Sequence, residues 1–270
     1  MQRPAVLVIA ATDSSGGAGL TRDVRVLTDF AVDALCVVTA VTAQSDKEVS
    51  AVHHVPPEII RAQVAAAFAT RQIGAIKIGM LGTQATVEAV VAALSAAAGI
   101  PIVVDPVLVS TSGGVLLDAG GRAALTGSLF PLAALVTPNV PEAAALLGEP
   151  VAGDEVGLIQ QGEKLLGFGS QAILLKGGHP YASGRYSGRN EGEDAVDLLI
   201  SGDAAGSLPT RGRRASELSI ERIHSKRIVG SSRGTGCALA SGIAAGLATG
   251  KSLGEACRAA KRYVLGMLAL

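Results

Sequence analysis

Short, largely apolar runs recur along this chain, and longer stretches with helical spacing separate them. Val6–Ala11, Leu35–Thr39, Ala75–Ile78, Ile102–Asp105, Ala134–Thr137 and Ala172–Lys176 read as strands. A strand without polar alternation has no solvent face, so both of its sides must be covered. The intervening periodicity predicts helices over Gly19–Phe30, Pro57–Thr70, Thr83–Ala98, Ala119–Leu129, Glu142–Leu147 and Val156–Gly167. This order predicts an α/β fold with a mostly parallel central sheet and helices on both faces. In the first helix Leu20, Val24, Leu27 and Phe30 share one face, which leaves Arg22, Asp23, Arg25 and Asp29 mostly elsewhere.

After Lys176 the texture changes. Tyr181–Asp194 and Ser201–Ser219 are rich in Gly, Ser and Arg and flank the short run Ala195–Ile200, a pattern that predicts mobile loops around one hairpin-like strand. Two Ala-rich helices, Thr235–Thr249 and Ser252–Leu268, close the chain on either side of Gly250. With no internal repeat and no linker, residues 1–270 read as a single domain.

The core must be aliphatic, because 49% of residues are hydrophobic but only 3% are aromatic and Trp is absent. Twenty-three basic and 23 acidic side chains cancel. A neutral chain lacks the cationic field of general nucleic-acid binders, so no nucleic-acid partner is expected. No run reaches the length of a membrane span, so no membrane partner is expected either. The apolar run Ala5–Ala11 follows Arg3 but ends at once in polar residues without a convincing cleavage site, and it reads as a strand instead of a signal peptide. Cys36, Cys237 and Cys257 are scattered and odd in number, which argues against disulfides or zinc and predicts a reducing cytoplasm.

Several motifs fail on context. Gly230-Ser231-Ser232-Arg233-Gly234 matches a nucleophile elbow, but neither His nor Asp follows it. Gly167-Phe168-Gly169-Ser170-Gln171-Ala172 imitates a dinucleotide fingerprint but leads into a strand, as a helix cap and turn would. There is no P-loop motif. The basic cluster Arg211, Arg213 and Arg214 reads as a solvated loop, and His53-His54 as strand-end surface.

Other motifs converge. Gly234-Thr235-Gly236-Cys237 opens a long helix, and small residues there let backbone amides face an anion. Cys237 in that first turn is either a thiolate stabilised by the helix field, able to act as a base, or a small packed residue. Asn139-Val140-Pro141-Glu142 follows a strand end, where Asn139 and Glu142 form either a helix cap or part of a ligand edge. Asp105 and Lys176 also end strands. Two carboxylates and one lysine on the same rim suggest a magnesium and phosphate site.

At these residues the sequence resembles the hydroxymethylpyrimidine/phosphomethylpyrimidine kinases of thiamine biosynthesis, which belong to the ribokinase-like superfamily. The carriers, in order, are Asp13–Gly19, Thr39–Gln44, Lys77–Leu81, Val104–Val107, Thr137–Glu142, Lys176–His179 and Gly234–Cys237. The resemblance implies a three-layer ribokinase-like fold, ATP and Mg2+ as cofactors, a small-molecule pyrimidine substrate and a homodimer. It further implies that Gln44 and the backbone at Val107 read the aminopyrimidine edge, that Met80 packs on the ring, and that Asp23 lies near the hydroxymethyl group. Asp105 and Glu142 would hold magnesium, and Lys176 would neutralise the transferring phosphate. The amides of Gly234, Thr235 and Gly236 would form the anion hole, and Cys237 would take the place of the superfamily's aspartate base. Asn139, Lys176, Gly178, Gly234 and Gly236 would meet the nucleotide.

Two departures stand out. Ser231-Ser232-Arg233 replaces a polar Asn-Thr-His, and Ala11-Thr12-Asp13 replaces a Gly-Ser/His-Asp. The implied activity is phosphorylation of 4-amino-5-hydroxymethyl-2-methylpyrimidine and of its monophosphate. Pyridoxal is the rival substrate. A catalytically silent ligand-binding or regulatory protein is the rival of another class, which intact Asp105, Glu142, Lys176 and Cys237 oppose.

Overall fold

The computed structural model describes residues 3–94, 97–110, 113–177, 194–202, 218–226 and 233–269. Six parallel strands form most of the main sheet. These are β1 (Ala5–Ala10), β2 (Asp33–Val38), β5 (Ala75–Ile78), β6 (Ile102–Val104), β7 (Leu135–Val136) and β8 (Ala172–Leu175). Antiparallel β9 (Asp194–Ser201) and β10 (Ser219–Lys226) extend it, giving the order β10-β9-β8-β7-β6-β5-β1-β2. A separate antiparallel pair, β3 (Ala40–Gln44) and β4 (Val49–His54), stands off the main sheet. Neither β3, β4 nor β10 is legible as a strand from apolar runs, because much of each is exposed.

Successive residues of β1 divide between two cores. Leu7 and Ile9 face one side, covered by α2 (Pro57–Thr70), α3 (Gln84–Ala93), α4 (Ala119–Ala124), α5 (Val140–Leu147) and α6 (Glu155–Leu166). Val6, Val8 and Ala10 face the other, covered by α1 (Gly19–Asp29), α7 (Thr235–Ala248) and α8 (Leu253–Leu268). The three-layer expectation holds, and the core is almost wholly aliphatic, with Phe130 the one fully buried aromatic among the described residues. One predicted helix changes character, because Ala119–Leu129 is α-helical only to Ala124 and continues as a π turn over Leu125–Leu129. Gly167–Gly169 closes α6 ahead of β8, with Gly169 at φ 98°, as a cap and turn. Of the predicted loops Tyr181–Asp194 and Ser201–Ser219, residues 181–193 and 203–217, with the Arg211–Arg214 cluster, lie outside the described residues, as does Gly178, while Asp194, Ser201 and Ser219 belong to strands.

The face of α1 corrects the sequence-based expectation. Leu20, Asp23, Val26 and Leu27 are buried, whereas Val24 is 36% exposed. The helix turns Asp23 inward because Lys77, on the α1–α7 side of β5, is wholly buried and needs a counter-charge.

The Ala-rich helices α7 and α8 pack closely because glycine lies at their contact. A Cβ on Gly246 would sit 2.7 Å from Ala256 Cβ, and one on Gly242 would sit 3.0 Å from Ala260 Cβ. Valine at position 246 must therefore push the helices apart, and this outweighs the gain in helix propensity. Gly246→Val should lose about 1 to 3 kcal/mol in urea unfolding; an unchanged midpoint would mean that the helix pair adapts freely.

Candidate active site

The parallel strands all deliver their carboxyl ends to one edge of the sheet, where the N-terminus of α7 arrives from above. A cavity of about 750 Å³ lies along this edge. Its centre is charged. Lys176, one residue past β8, places Nζ 2.8 Å from Asp105 Oδ1 and 3.7 Å from Glu142 Oε2. Thr137 Oγ1 donates to the same Asp105 oxygen at 3.3 Å. A bridge between Asn139 and Lys176 prolongs the β7–β8 pairing and sets these side chains side by side.

Of the two expectations for Asn139 and Glu142 the cap is present, and both residues also line the cavity. Asn139 Oδ1 accepts from the Glu142 amide at 2.8 Å, and Glu142 Oε2 accepts from the Asn139 amide at 2.7 Å, a reciprocal cap on α5. The same Glu142 oxygen faces Lys176. Burial raises the Glu142 carboxyl above its ordinary range, against the opposing pull of Lys176. Burial would lower Lys176, but Asp105 and Glu142 outweigh it and hold the ammonium charged.

Glycine at position 234 is required by space, and glycine at 236 leaves the lysine its room. Gly234 adopts φ 75°, and a Cβ there would lie 2.3 Å from the Gly17 carbonyl. A Cβ on Gly236 would lie 3.2 Å from Lys176 Nζ and 3.5 Å from Asp105 Oδ2. The first turn of α7, which no side chain caps, can thus come right up to the lysine and carboxylates. Free helix-end amides beside an ammonium group form a setting for phosphate. Asp105 and Glu142 supply two carboxylates. That donor set suits a magnesium ion sharing phosphate ligands and does not suit an all-protein metal cage. Among the described residues no group of three His, Cys, Asp or Glu side chains could hold a metal, and His53-His54 stays on the exposed β4.

Gln44, Met80 and Val107 also line the cavity. Gln44 closes β3 at a bulge, and its backbone exchanges hydrogen bonds with Ser14 Oγ at 2.8 and 2.9 Å. Thr39 Oγ1 donates to the Met80 carbonyl at 2.6 Å and fixes the loop after β5.

Asp23 does not join this lining. Its carboxylate is fully buried and engages Lys77 Nζ at 2.8 Å and Ser241 Oγ at 2.8 Å, beneath the cavity floor. Asp23, expected near the hydroxymethyl group, does not itself line the cavity but supports Lys77, which does. Lys77 is the residue that sequence reasoning missed. Its signal was a lone charge inside the strand Ala75-Ile76-Lys77-Ile78.

Cys237, expected as either a stabilised thiolate or a small packed residue, lines the cavity in the first turn of α7. Burial pushes the thiol up to about 11, and the attraction of Lys77 does not compensate. Loss of hydration outweighs the helix field here.

A family model described as phosphomethylpyrimidine kinase matches residues 13–269. The chain belongs to the phosphomethylpyrimidine kinase family. A hydroxymethylpyrimidine/phosphomethylpyrimidine kinase of Rhizobium meliloti is 40% identical over 258 residues, covering 96% of this chain and 88% of that one. The crystal structure of phosphomethylpyrimidine kinase from Clostridium difficile 630 superposes with a TM-score of 0.77 at 30% identity, covering 98% of this chain and all of that one. A pyridoxal kinase from Staphylococcus aureus, in complex with pyridoxal, gives a TM-score of 0.82 at 25% identity, with 100% and 89% of the two chains covered. Structures of that kinase with ADP and with AMP-PCP match as well.

Two measurements follow from the phosphomethylpyrimidine kinase site as built. Iodoacetamide labelling of Cys237, read by mass spectrometry of its peptide, should be slow at pH 7 and accelerate continuously to pH 10, because burial keeps the thiol protonated at neutrality. Fast labelling that levels off by pH 8 would restore the thiolate. Asp23→Asn leaves Lys77 buried without its counter-charge and should cost about 3 to 5 kcal/mol in urea unfolding, whereas joint replacement by Asp23→Leu and Lys77→Met should recover most of the loss.

Proposed function

We propose that this cavity transfers the terminal phosphoryl group of ATP to the hydroxymethyl oxygen of 4-amino-5-hydroxymethyl-2-methylpyrimidine, and then phosphorylates the monophosphate again. The single observation that carries this is that one cavity is lined both by Lys176, Asp105 and Glu142 beside the first turn of α7 and by Gln44, Met80 and Val107, side chains that suit a polar heteroaromatic ring. Membership of the phosphomethylpyrimidine kinase family makes the chain a kinase of thiamine biosynthesis.

Phosphoryl transfer asks little covalent chemistry of a protein and much positioning and charge neutralisation. Asp105 and Glu142 would hold Mg2+ together with the nucleotide phosphates, and the ion would neutralise charge that develops during transfer. Asp105 also orients Lys176, whose ammonium would follow the moving phosphoryl group. The amides of Gly234, Thr235 and Gly236 would bind its oxygens, with Asn139 toward the nucleotide. Gln44 offers a donor and an acceptor to the aminopyrimidine edge, and Met80 a polarisable face to the ring. Cys237 meets the reacting hydroxyl as a neutral thiol, so proton removal is not the main source of rate. The AMP-PCP and ADP complexes of the Staphylococcus aureus kinase support ATP as the donor. That kinase's pyridoxal complex, at the higher TM-score, favours pyridoxal as a second substrate to be measured beside the pyrimidine. A homodimer, as the resemblance implies, and a reducing cytoplasm, as three free cysteines allow, complete the proposal.

The test compares ADP release with hydroxymethylpyrimidine, its monophosphate and pyridoxal. Pyrimidine kcat/KM should exceed that for pyridoxal; the reverse order would move the chain to the rival substrate. Glu142→Gln preserves the α5 cap while removing a charge. It should keep the melting temperature, lower kcat about a hundredfold and raise the magnesium requirement. Lost thermal stability with near-normal turnover would leave Glu142 as a cap alone. Cys237→Ser should keep turnover within about tenfold, since a neutral thiol contributes little as a base. A loss beyond about a hundredfold would mean that the loaded site ionises the thiol.

A further inference from the structure

The guanidinium of Arg233 joins three segments that are distant in sequence. Nη1 donates to Ser15 Oγ at 3.0 Å, to the Ser45 carbonyl at 2.8 Å and to Asp46 Oδ1 at 2.8 Å. Nη2 donates to Asp13 Oδ2 at 3.1 Å. Asp13 is itself the organiser of the glycine loop after β1. Its carboxylate, 2% exposed, also accepts from the Ser15 amide and hydroxyl and from the Ala18 amide. Ser45 and Asp46 follow Gln44 directly at the end of β3. Arg233 immediately precedes Gly234, where α7 begins.

The β3–β4 pair needs such an anchor. A two-stranded sheet is marginal alone, and this one leaves every residue from Ser50 to His54 exposed. On the cavity side its ties include Thr42 Oγ1 to the Thr12 carbonyl and the Ser14–Gln44 exchange, both between neutral groups. Arg233 adds two ion pairs, and charge-assisted hydrogen bonds are the stronger kind. An arginine suits the position, because its planar fork can serve two carboxylates and a carbonyl at once. A neutral or singly donating side chain could not hold all three segments.

We propose that Arg233 is a positioning residue that pins the end of β3, and with it Gln44, over the cavity, and thereby sets affinity for the pyrimidine ring. The proposal rests on Gln44 reading that ring. Asp46 is 86% exposed while Asp13 is covered, so the outer half of the pin is open to salt and the inner half is not.

The test is steady-state kinetics of Arg233→Met, Arg233→Lys and Asp46→Asn, with KM for hydroxymethylpyrimidine and for ATP measured separately. Arg233→Met should raise the pyrimidine KM about tenfold or more while the ATP KM changes much less, and Arg233→Lys should recover part of that. Asp46→Asn alters only an exposed group and should raise the pyrimidine KM about threefold at low salt, a difference from the parent that vanishes at 0.5 M salt. If Arg233→Met does not fold, Asp46→Asn decides the matter, and an unchanged pyrimidine KM overturns the pin. A rise confined to the ATP KM also overturns it, by making Arg233 a nucleotide contact. Gln44→Leu separates the two levels. If that variant leaves the pyrimidine KM unchanged, the ring-reading role has failed; a large effect there with silent Arg233 and Asp46 variants condemns the pin alone. Hydrogen exchange across residues 42–49 should speed up in Arg233→Met whichever residue reads the ring, and unchanged exchange would overturn the proposal.

Discussion

Two lysines removed from water dictate where this protein keeps its charges. Lys77 is wholly buried and Lys176 nearly so, and each is held in its charged form by carboxylates from other elements. An unpaired ammonium in such surroundings would cost several kcal/mol. Asp23 must therefore face into the sheet, and Asp105 and Glu142 must converge on the end of β8. The first pair fastens α1 and α7 to β5 through Ser241; the second gathers the ends of β6, β7 and β8. Pairing is thus a structural requirement, and the geometry that satisfies it sets an ammonium group and two carboxylates beside the first turn of α7.

The two pairs differ in what they leave free. Asp23 uses both oxygens on protein partners and never reaches the cavity. Around Lys176 the closest approach is to one Asp105 oxygen, with Glu142 farther away at 3.7 Å, and the glycine at 236 keeps the first turn of α7 close. Charge that is fully consumed supports the floor. Charge that is partly uncommitted, beside free helix-end amides, can act on a ligand.

Cys237 shows how a local rule yields to its surroundings. A cysteine in the first turn of a helix invites the inference of a stabilised thiolate, because that rule concerns the helix field alone. In the folded protein the same cysteine lies between Lys77, which favours the thiolate, and Asp23 and Asp105, which disfavour it, and burial decides the balance. This moves the weight of the mechanism onto positioning and charge neutralisation, which phosphoryl transfer chiefly requires.

The sequence by itself determined the parallel sheet and its helical cover, because runs such as Val6–Ala11 and Ile102–Asp105 carry no polar face. It also marked the charged and polar residues at the strand ends, since Asp105 and Lys176 directly follow apolar runs and Asn139 and Glu142 stand a few residues beyond another. Tertiary structure decided which way Asp23 points, because helical spacing put it off the apolar face and only the buried Lys77 turns it inward. It decided that β3 and β4 pair, since exposed strands lack the apolar signal that marks the others. The role of Arg233 was likewise invisible in order along the chain: its partners at 13, 15, 45 and 46 are brought to it by folding, and a hydrogen-bond fork has meaning only when its acceptors are in place.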